Sequence, residues 1–353
     1  VSAAPAKRVN LALQGGGSHG AYTWGVLDAL LADERIEISG VSGASAGAMN
    51  AVVLAYGLQI GGGQGARERL EAFWLSVSRD GGLPIAARTL FAAWLGAWQA
   101  FSPPGWAAAA SQLTSPYTFN PLDLNPLREH LAEAVDFDVL RRGESPKLFI
   151  AATNVNTGQG EIFRRDSLGA DHVMASACLP RLFQAVVIDG APYWDGGFSG
   201  NPPLWPLFYE TNCRDTIIVQ INPIARAETP HSAEDIGNRV NEITFNAGLL
   251  AELRAADFVA RLIDRGVLKD PAYTRQRLHR IGGEGGLDRF GARTKTDVSW
   301  SFLKTLRDLG REAAREWLAR HFDAIGARST LDVAGTLRKA GGTAGRFGSL
   351  SDS

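Results

Sequence analysis

Residues 36–55 read Ile36-Glu37-Ile38-Ser39-Gly40-Val41-Ser42-Gly43-Ala44-Ser45-Ala46-Gly47-Ala48-Met49-Asn50-Ala51-Val52-Val53-Leu54-Ala55. Ile36 to Val41 is short and alternating, as a strand is, and Ala48 to Ala55 reads as a buried helix. Ser45 stands between them, with Gly43 two residues before and Gly47 two after. A G-x-S-x-G motif on a strand–turn–helix fits a nucleophile elbow. Such a turn strains the serine backbone and pushes the hydroxyl out at the sheet edge. Side chains at 43 and 47 would collide with the neighbouring strand and helix, so both positions need glycine. The helix that follows aims its positive end at the site, which favours developing negative charge. The five-residue pattern alone is a weak signal, and a plain small-residue turn explains it equally well. The elements on either side strengthen it.

Upstream, Arg8 to Leu13 reads as a first strand and runs into Gln14-Gly15-Gly16-Gly17-Ser18-His19-Gly20. Ala21, Trp24, Leu27, Leu30 and Leu31 then recur at helical spacing. Two chemistries want a glycine loop between strand and helix. Gly15, Gly17 and Gly20 satisfy the G-x-G-x-x-G of dinucleotide binding. The same loop can present backbone N–H groups to a tetrahedral intermediate as an oxyanion hole. The dinucleotide reading wants an acid about 20 residues on, closing the second strand. That strand ends instead in the Ser45 turn, which favours the oxyanion hole.

Downstream, Lys147 to Asn154 has strand length, with Glu161-Ile162-Phe163 as a hairpin partner. Val173 to Pro180 reads as a small-residue helix stopped by its proline. Val186-Val187-Ile188 and Ala191 to Trp194 flank Asp189-Gly190, a hairpin with a primed turn. It ends at Asp195-Gly196-Gly197. Asp-Gly is by residue type an ordinary turn, yet an aspartate at a strand end is also where open sheets carry catalytic groups. Asp215 to Asn222 is the last strand the pattern supports. Strands alternating with helices predict an α/β fold with a mainly parallel, doubly wound sheet. Beyond residue 222 the pattern is helical, with long helices around 236–262 and 302–322. Residues 339–353 are Gly/Ser-rich and read as a disordered tail. Residues 81–118 are Trp-rich, with a stripe of Leu90, Phe91, Trp94, Leu95, Trp98 and Phe101. That stripe suits a cap helix on the core, and also a lid that meets a lipid surface.

The composition is ordinary: 353 residues, 45% hydrophobic, 21% charged and a net charge of -1. It argues against a nucleic-acid partner and against strong electrostatic attachment to membranes. The two cysteines, Cys178 and Cys213, form no metal-ligand or disulfide pattern and read as buried thiols of a reducing compartment. No signal peptide is evident, and the nearest approach to a spanning segment is at 89–113. A cytoplasmic chain, peripheral at the membrane at most, is the expectation. No metal or other cofactor is expected.

Taken in order, the loop at 15–20, the elbow at 43–47 and Asp195-Gly196-Gly197 resemble the patatin-like phospholipase family, which carries G-G-G-x-x-G, G-x-S-x-G and D-G-[AG] in this sequence. Ala175 to Pro180 and Tyr193-Trp194 also resemble family segments. The resemblance covers about residues 8–222 and implies a three-layer α/β/α sandwich, here with a helical C-terminal extension over 223–338. It implies that Ser45 is the nucleophile, Asp195 its partner in a dyad, and the N–H groups of Gly15, Gly16 and Gly17 the oxyanion hole. Gly20, Gly43, Gly47, Gly196 and Gly197 support the motifs. The implied activity is hydrolysis of acyl esters in lipids, phospholipase A or lysophospholipase in type. This chain departs from the family in having His19 where a basic residue is common and Gln14 where an aspartate is. His19 is open between packing, a hydrogen bond near the oxyanion and a local base, with packing favoured.

The chemistry is coherent by itself. A serine hydroxyl needs a base to accept its proton. An aspartate with a pKa near 4 is a weak base, so such a pair depends on geometry and on oxyanion donors worth about 3 kcal/mol each. Rival readings are a Ser-His-Asp triad using His231, His279 or His321, a soluble-ester hydrolase or acyltransferase with the same dyad, and a non-catalytic lipid- or nucleotide-binding module.

Overall fold

A computed structural model describes residues 6–78, 115–121, 123, 125–180, 183–226, 228–282, 287, 290, 294 and 297–341. The whole aromatic stripe and most of the expected tail therefore lie outside the described residues.

The chain opens with β1 (Lys7–Leu13), α1 (Gly20–Ala32), β2 (Ile36–Gly43) and α2 (Ala46–Ser76). Non-helical backbone at Gly61 and Gly62 breaks α2. Short helices α3 (Pro116–Phe119), α4 (Pro126–Ala134) and α5 (Phe137–Arg142) precede β3 (Lys147–Asn154) and β4 (Gly160–Arg164). Then come α6 (Ala170–Ser176), β5 (Val186–Ile188), β6 (Ala191–Asp195), α7 (Trp205–Glu210) and β7 (Asp215–Gln220). The C-terminal part holds α8 (Ala233–Asp264), β8 (Arg277–Gly282), α9 (Trp300–His321) and α10 (Val333–Gly341).

The eight strands form one sheet in the order β5-β6-β3-β2-β1-β7-β8, with β4 paired to β3. The pairs from β3 through β8 in that order are parallel, while β4, β5 and β6 join antiparallel. Successive strand residues point to opposite faces, and each face has its own core. Leu11, Leu13, Ile150, Ile217 and Val219 pack with Trp24, Leu27, Val52 and Leu306 from α1, α2 and α9. Ala12, Phe149, Ala151 and Ile218 pack with Leu207, Leu249 and Leu253 from α7 and α8. Nearly continuous apolar strands are thus covered on both sides, which makes a three-layer α/β/α sandwich.

The part after residue 222 is mainly helical, as expected, and adds one strand beyond the sequence expectation. β8 pairs parallel to β7 over six residues, Asp215↔Arg277 to Gln220↔Gly282. Its sequence, Arg277-Leu278-His279-Arg280-Ile281-Gly282, lacks an apolar run because its polar residues have partners in β7. Arg277 Nη2 donates to Asp215 Oδ2 at 2.7 Å, and His279 Nε2 is hydrogen-bonded to Asp215 Oδ1 at 3.1 Å.

Candidate active site

β1, β2 and β7 all end at the same edge of the sheet, where ligands of open α/β folds bind. Ser45 follows β2 with φ 56° and ψ −126°, a conformation that non-glycine residues avoid. Its N–H is shared between the hydroxyl and the carbonyl oxygen of Ser176, each at 3.1 Å. A Cβ on Gly43 would lie 2.6 Å from the carbonyl carbon of Gly47, and one on Gly47 would lie 2.1 Å from the Leu13 carbonyl oxygen. The elbow is therefore closed by two backbone contacts that only glycine permits. Asn50, one turn into α2, donates to the carbonyls of Gly20 and Ala46, tying the starts of α1 and α2 together.

Strand register brings Asp195 to the level of Ser45. Gly43 pairs with Ile150 of β3, and Asp195 pairs with Ala152, two residues further along. Ser45 is likewise two residues beyond Gly43. The Asp195 N–H donates to the Cys178 carbonyl at 2.8 Å, and its own carbonyl accepts from Thr153 Oγ1 at 2.8 Å. Oδ1 accepts the Gly197 N–H at 2.7 Å. Burial pushes the carboxyl up to about 7, opposed by the Gly197 N–H and the Ser45 hydroxyl. Ser45 is thus near enough to act on the carboxyl, but the pair stops short of a formed hydrogen bond. Ser45 Oγ and Asp195 Oδ2 are both buried without a partner among the described residues. Two unpartnered oxygens, one a hydroxyl and one a carboxylate near neutrality, are suited to passing a proton between them.

The glycine loop packs directly on the elbow. A Cβ on Gly15 would meet the Ala44 carbonyl oxygen at 2.6 Å and Ser45 Cβ at 2.7 Å. Its N–H, however, donates to Asn201 Oδ1 at 2.6 Å, while Asn222 Nδ2 donates to its carbonyl at 2.8 Å. Gly15 is held from both sides, so the expected role of its N–H in an oxyanion hole is corrected: the donor is already engaged. The N–H groups of Gly16 and Gly17 bond to no described residue, and Gly17 takes φ 63°.

Gln14 anchors the base of the loop. Its Oε1 accepts the N–H groups of Ile221 and Asn222 at 2.8 and 2.7 Å, and its Nε2 donates to Asn246 Oδ1 at 2.9 Å. An amide both donates and accepts, which an aspartate here would not do. Sequence reading passed over Asn201, Asn222 and Ser176 as components of the site. The one signal for Asn201 was a lone amide between Gly200 and two prolines.

His19 is buried with its Nε2 hydrogen-bonded to Thr294 Oγ1 at 2.9 Å and its ring 6.4 Å from that of Phe302. These contacts turn it toward α9, as packing requires. His279 has both nitrogens bound, to Asp215 and to Thr330. His321 packs on Trp317, and His231 is exposed ahead of α8. Among the described residues no cluster of His, Cys, Asp and Glu could hold a metal ion, and no helix is long and apolar enough to cross a membrane.

The family model described as patatin-like phospholipase matches residues 11–208, which contain the loop, the elbow and Asp195. Among solved structures, the crystal structure of VipD from Legionella pneumophila is similar at 17% identity and a TM-score of 0.41, over 90% of this chain and 68% of that one. No curated protein matches the chain.

Proposed function

The chain belongs to the patatin-like phospholipase family, and from that premise we propose that it hydrolyses lipid acyl esters through a Ser45–Asp195 dyad and an acyl-enzyme. The observation that carries this reading is the pair of buried, unpartnered oxygens, Ser45 Oγ and Asp195 Oδ2, at one level of the sheet edge. In the first step Ser45 Oγ attacks the ester carbonyl and its proton passes to Asp195. The tetrahedral oxyanion is held by the N–H groups of Gly16 and Gly17, and the proton leaves with the departing alcohol. In the second step water loses a proton to Asp195 and attacks the acyl carbon. Collapse releases the fatty acid, and the proton returns to Ser45 Oγ.

An ordinary carboxyl is nearly proton-free at neutral pH and a weak base. Burial of Asp195 offsets that weakness by bringing its pKa to about 7. Asn201, Asn222 and Gln14 position the glycine loop without touching the reacting atoms. The catalytic unit in this reading spans residues 8–222 with β8 completing its sheet. The Trp-rich segment at 81–118 meets the lipid surface; the support is its aromatic stripe. Water as the second acceptor makes the chain a hydrolase, and an alcohol in its place would make it an acyltransferase.

The test is covalent capture by a fluorophosphonate. The natural chain is expected to be labelled at Ser45, and Ser45→Ala to remain unlabelled. A folded natural chain that resists the reagent would contradict an activated serine.

A further inference from the structure

A cleft that contains neither Ser45 nor Asp195 lies among the elements that cover one face of the sheet. It opens between α7, the C-terminal half of α8 and the segment 272–276 that leads into β8, with a cavity volume of about 120 Å³. Its walls are apolar and aromatic, from Trp205, Phe208, Tyr209 and Tyr273. Trp205, Tyr209 and Tyr273 are 40%, 69% and 45% exposed, so their side chains are open to an incoming molecule.

One carboxyl group lines this aromatic cleft. Glu252 Oε2 accepts the N–H groups of Leu204 and Trp205, both at 2.7 Å, at the start of α7. Its Oε1 accepts no hydrogen bond among the described residues. Gln276 Oε1, also in the lining, is buried without a partner. Glu252 Oε1 and Gln276 Oε1 thus offer the cleft two acceptor oxygens. Arg275 is a cation in the lining, and its Nη1 is bound to Asp264 at 2.6 Å. Burial pushes the Glu252 carboxyl up to about 7, with only backbone N–H groups opposing, so no described cation already neutralises it.

An aromatic wall around one carboxylate complements a positive charge that carries methyl groups. Ring faces attract a cation through their quadrupole. A primary ammonium would ask for three acceptors, whereas a fully alkylated, quaternary ammonium asks for none at nitrogen and gains from apolar contact. We propose that this cleft binds a small alkylated ammonium ion of the choline class, with its methyl groups against the rings of Trp205, Tyr209 and Tyr273 and with Glu252 as counter-ion. The site is separate from the hydrolytic edge and does not depend on the reaction assigned there.

The test is calorimetric titration of the full chain with choline and with tetramethylammonium, beside the neutral isostere 3,3-dimethylbutan-1-ol. Saturable binding of both cations is expected, with the isostere at least tenfold weaker. Glu252→Gln keeps an oxygen for the two backbone N–H groups and is expected to weaken choline at least tenfold. Tyr273→Ala is expected to weaken it severalfold. No saturable binding of either cation, equal binding of the isostere, or choline binding unchanged in both variants would overturn the proposal. The isostere comparison uses the natural chain, so it decides even if a variant fails to fold.

Discussion

The Gly15 N–H donates to Asn201 Oδ1 at 2.6 Å, so the first glycine of the loop after β1 is fixed by an asparagine that lies 186 residues further along the chain. Asn201→Ala would leave that buried N–H unpaired, which costs about 1–3 kcal/mol. The loop would also lose the contact that orients Gly16 and Gly17. The expected outcome is a fall of about ten- to a hundredfold in kcat, with KM little changed, because the lost interaction acts in the transition state. Ester hydrolysis at saturating substrate reads this directly.

Asp195 works as a base only when ionised, and burial places its pKa at about 7. Acylation of Ser45 is therefore expected to rise with pH through neutrality and, below it, to fall about tenfold per pH unit. Single-turnover acylation by an activated ester from pH 5 to 9 measures this. A rate already flat at pH 5 would mean that the carboxyl is an ordinary one.

The same burial has a stability cost. The unfolded chain ionises Asp195 near pH 4 and the folded chain near 7, so folding takes up a proton between those values. Stability then falls as pH rises through that window. At about 1.4 kcal/mol per pKa unit the full effect reaches about 4 kcal/mol. Asp195→Asn removes the charge. It is expected to melt above the natural chain at pH 8, with the difference vanishing toward pH 4.

Ser45 sits at φ 56° and ψ −126°, where a non-glycine residue is strained by about 1–3 kcal/mol. Ser45→Gly is therefore expected to be about 1–2 kcal/mol more stable than Ser45→Ala, although both lack the nucleophile. Denaturant unfolding of the two variants compares them. Gly47→Ala is expected to destabilise by about 3 kcal/mol, because its Cβ would sit 2.1 Å from the Leu13 carbonyl oxygen.

His279 is expected to matter for folding and not for chemistry. It is fully buried and bonds Asp215 at 3.1 Å. Burial works to raise the Asp215 carboxyl, but bonds from His279, Arg277 and the Gly326 N–H hold it well below the usual range. Its stabilisation is present above the unfolded carboxyl pKa and is lost as pH falls through the folded one. His279→Ala is expected to lower the melting temperature at pH 7, and kcat is expected to stay within severalfold. The same holds for kcat in His231→Ala and His321→Ala. A thousandfold loss of activity in any one of them, with the fold intact, would point to a triad.

The features legible in the sequence were those whose chemistry is local. Gly43, Ser45 and Gly47 announce the elbow because steric exclusion acts within five residues; β2 announces itself by alternation, and β1, β3 and β7 by strand-length stretches rich in apolar residues. β8 was not legible. Arg277 and His279 look unlike a buried strand until Asp215, more than 60 residues earlier, is seen to bind both. The engagement of Gly15 was hidden for the same reason, since Asn201 and Asn222 reach the loop only after the sheet has formed. The raised pKa of Asp195 is likewise a property of its surroundings and not of its residue type.

The most direct test of the dyad is fatty-acid release from mixed phospholipid vesicles by the natural chain, Ser45→Ala and Asp195→Asn. Release by the natural chain that disappears in both folded variants is the predicted result. Release that survives in Ser45→Ala would contradict the account at its centre.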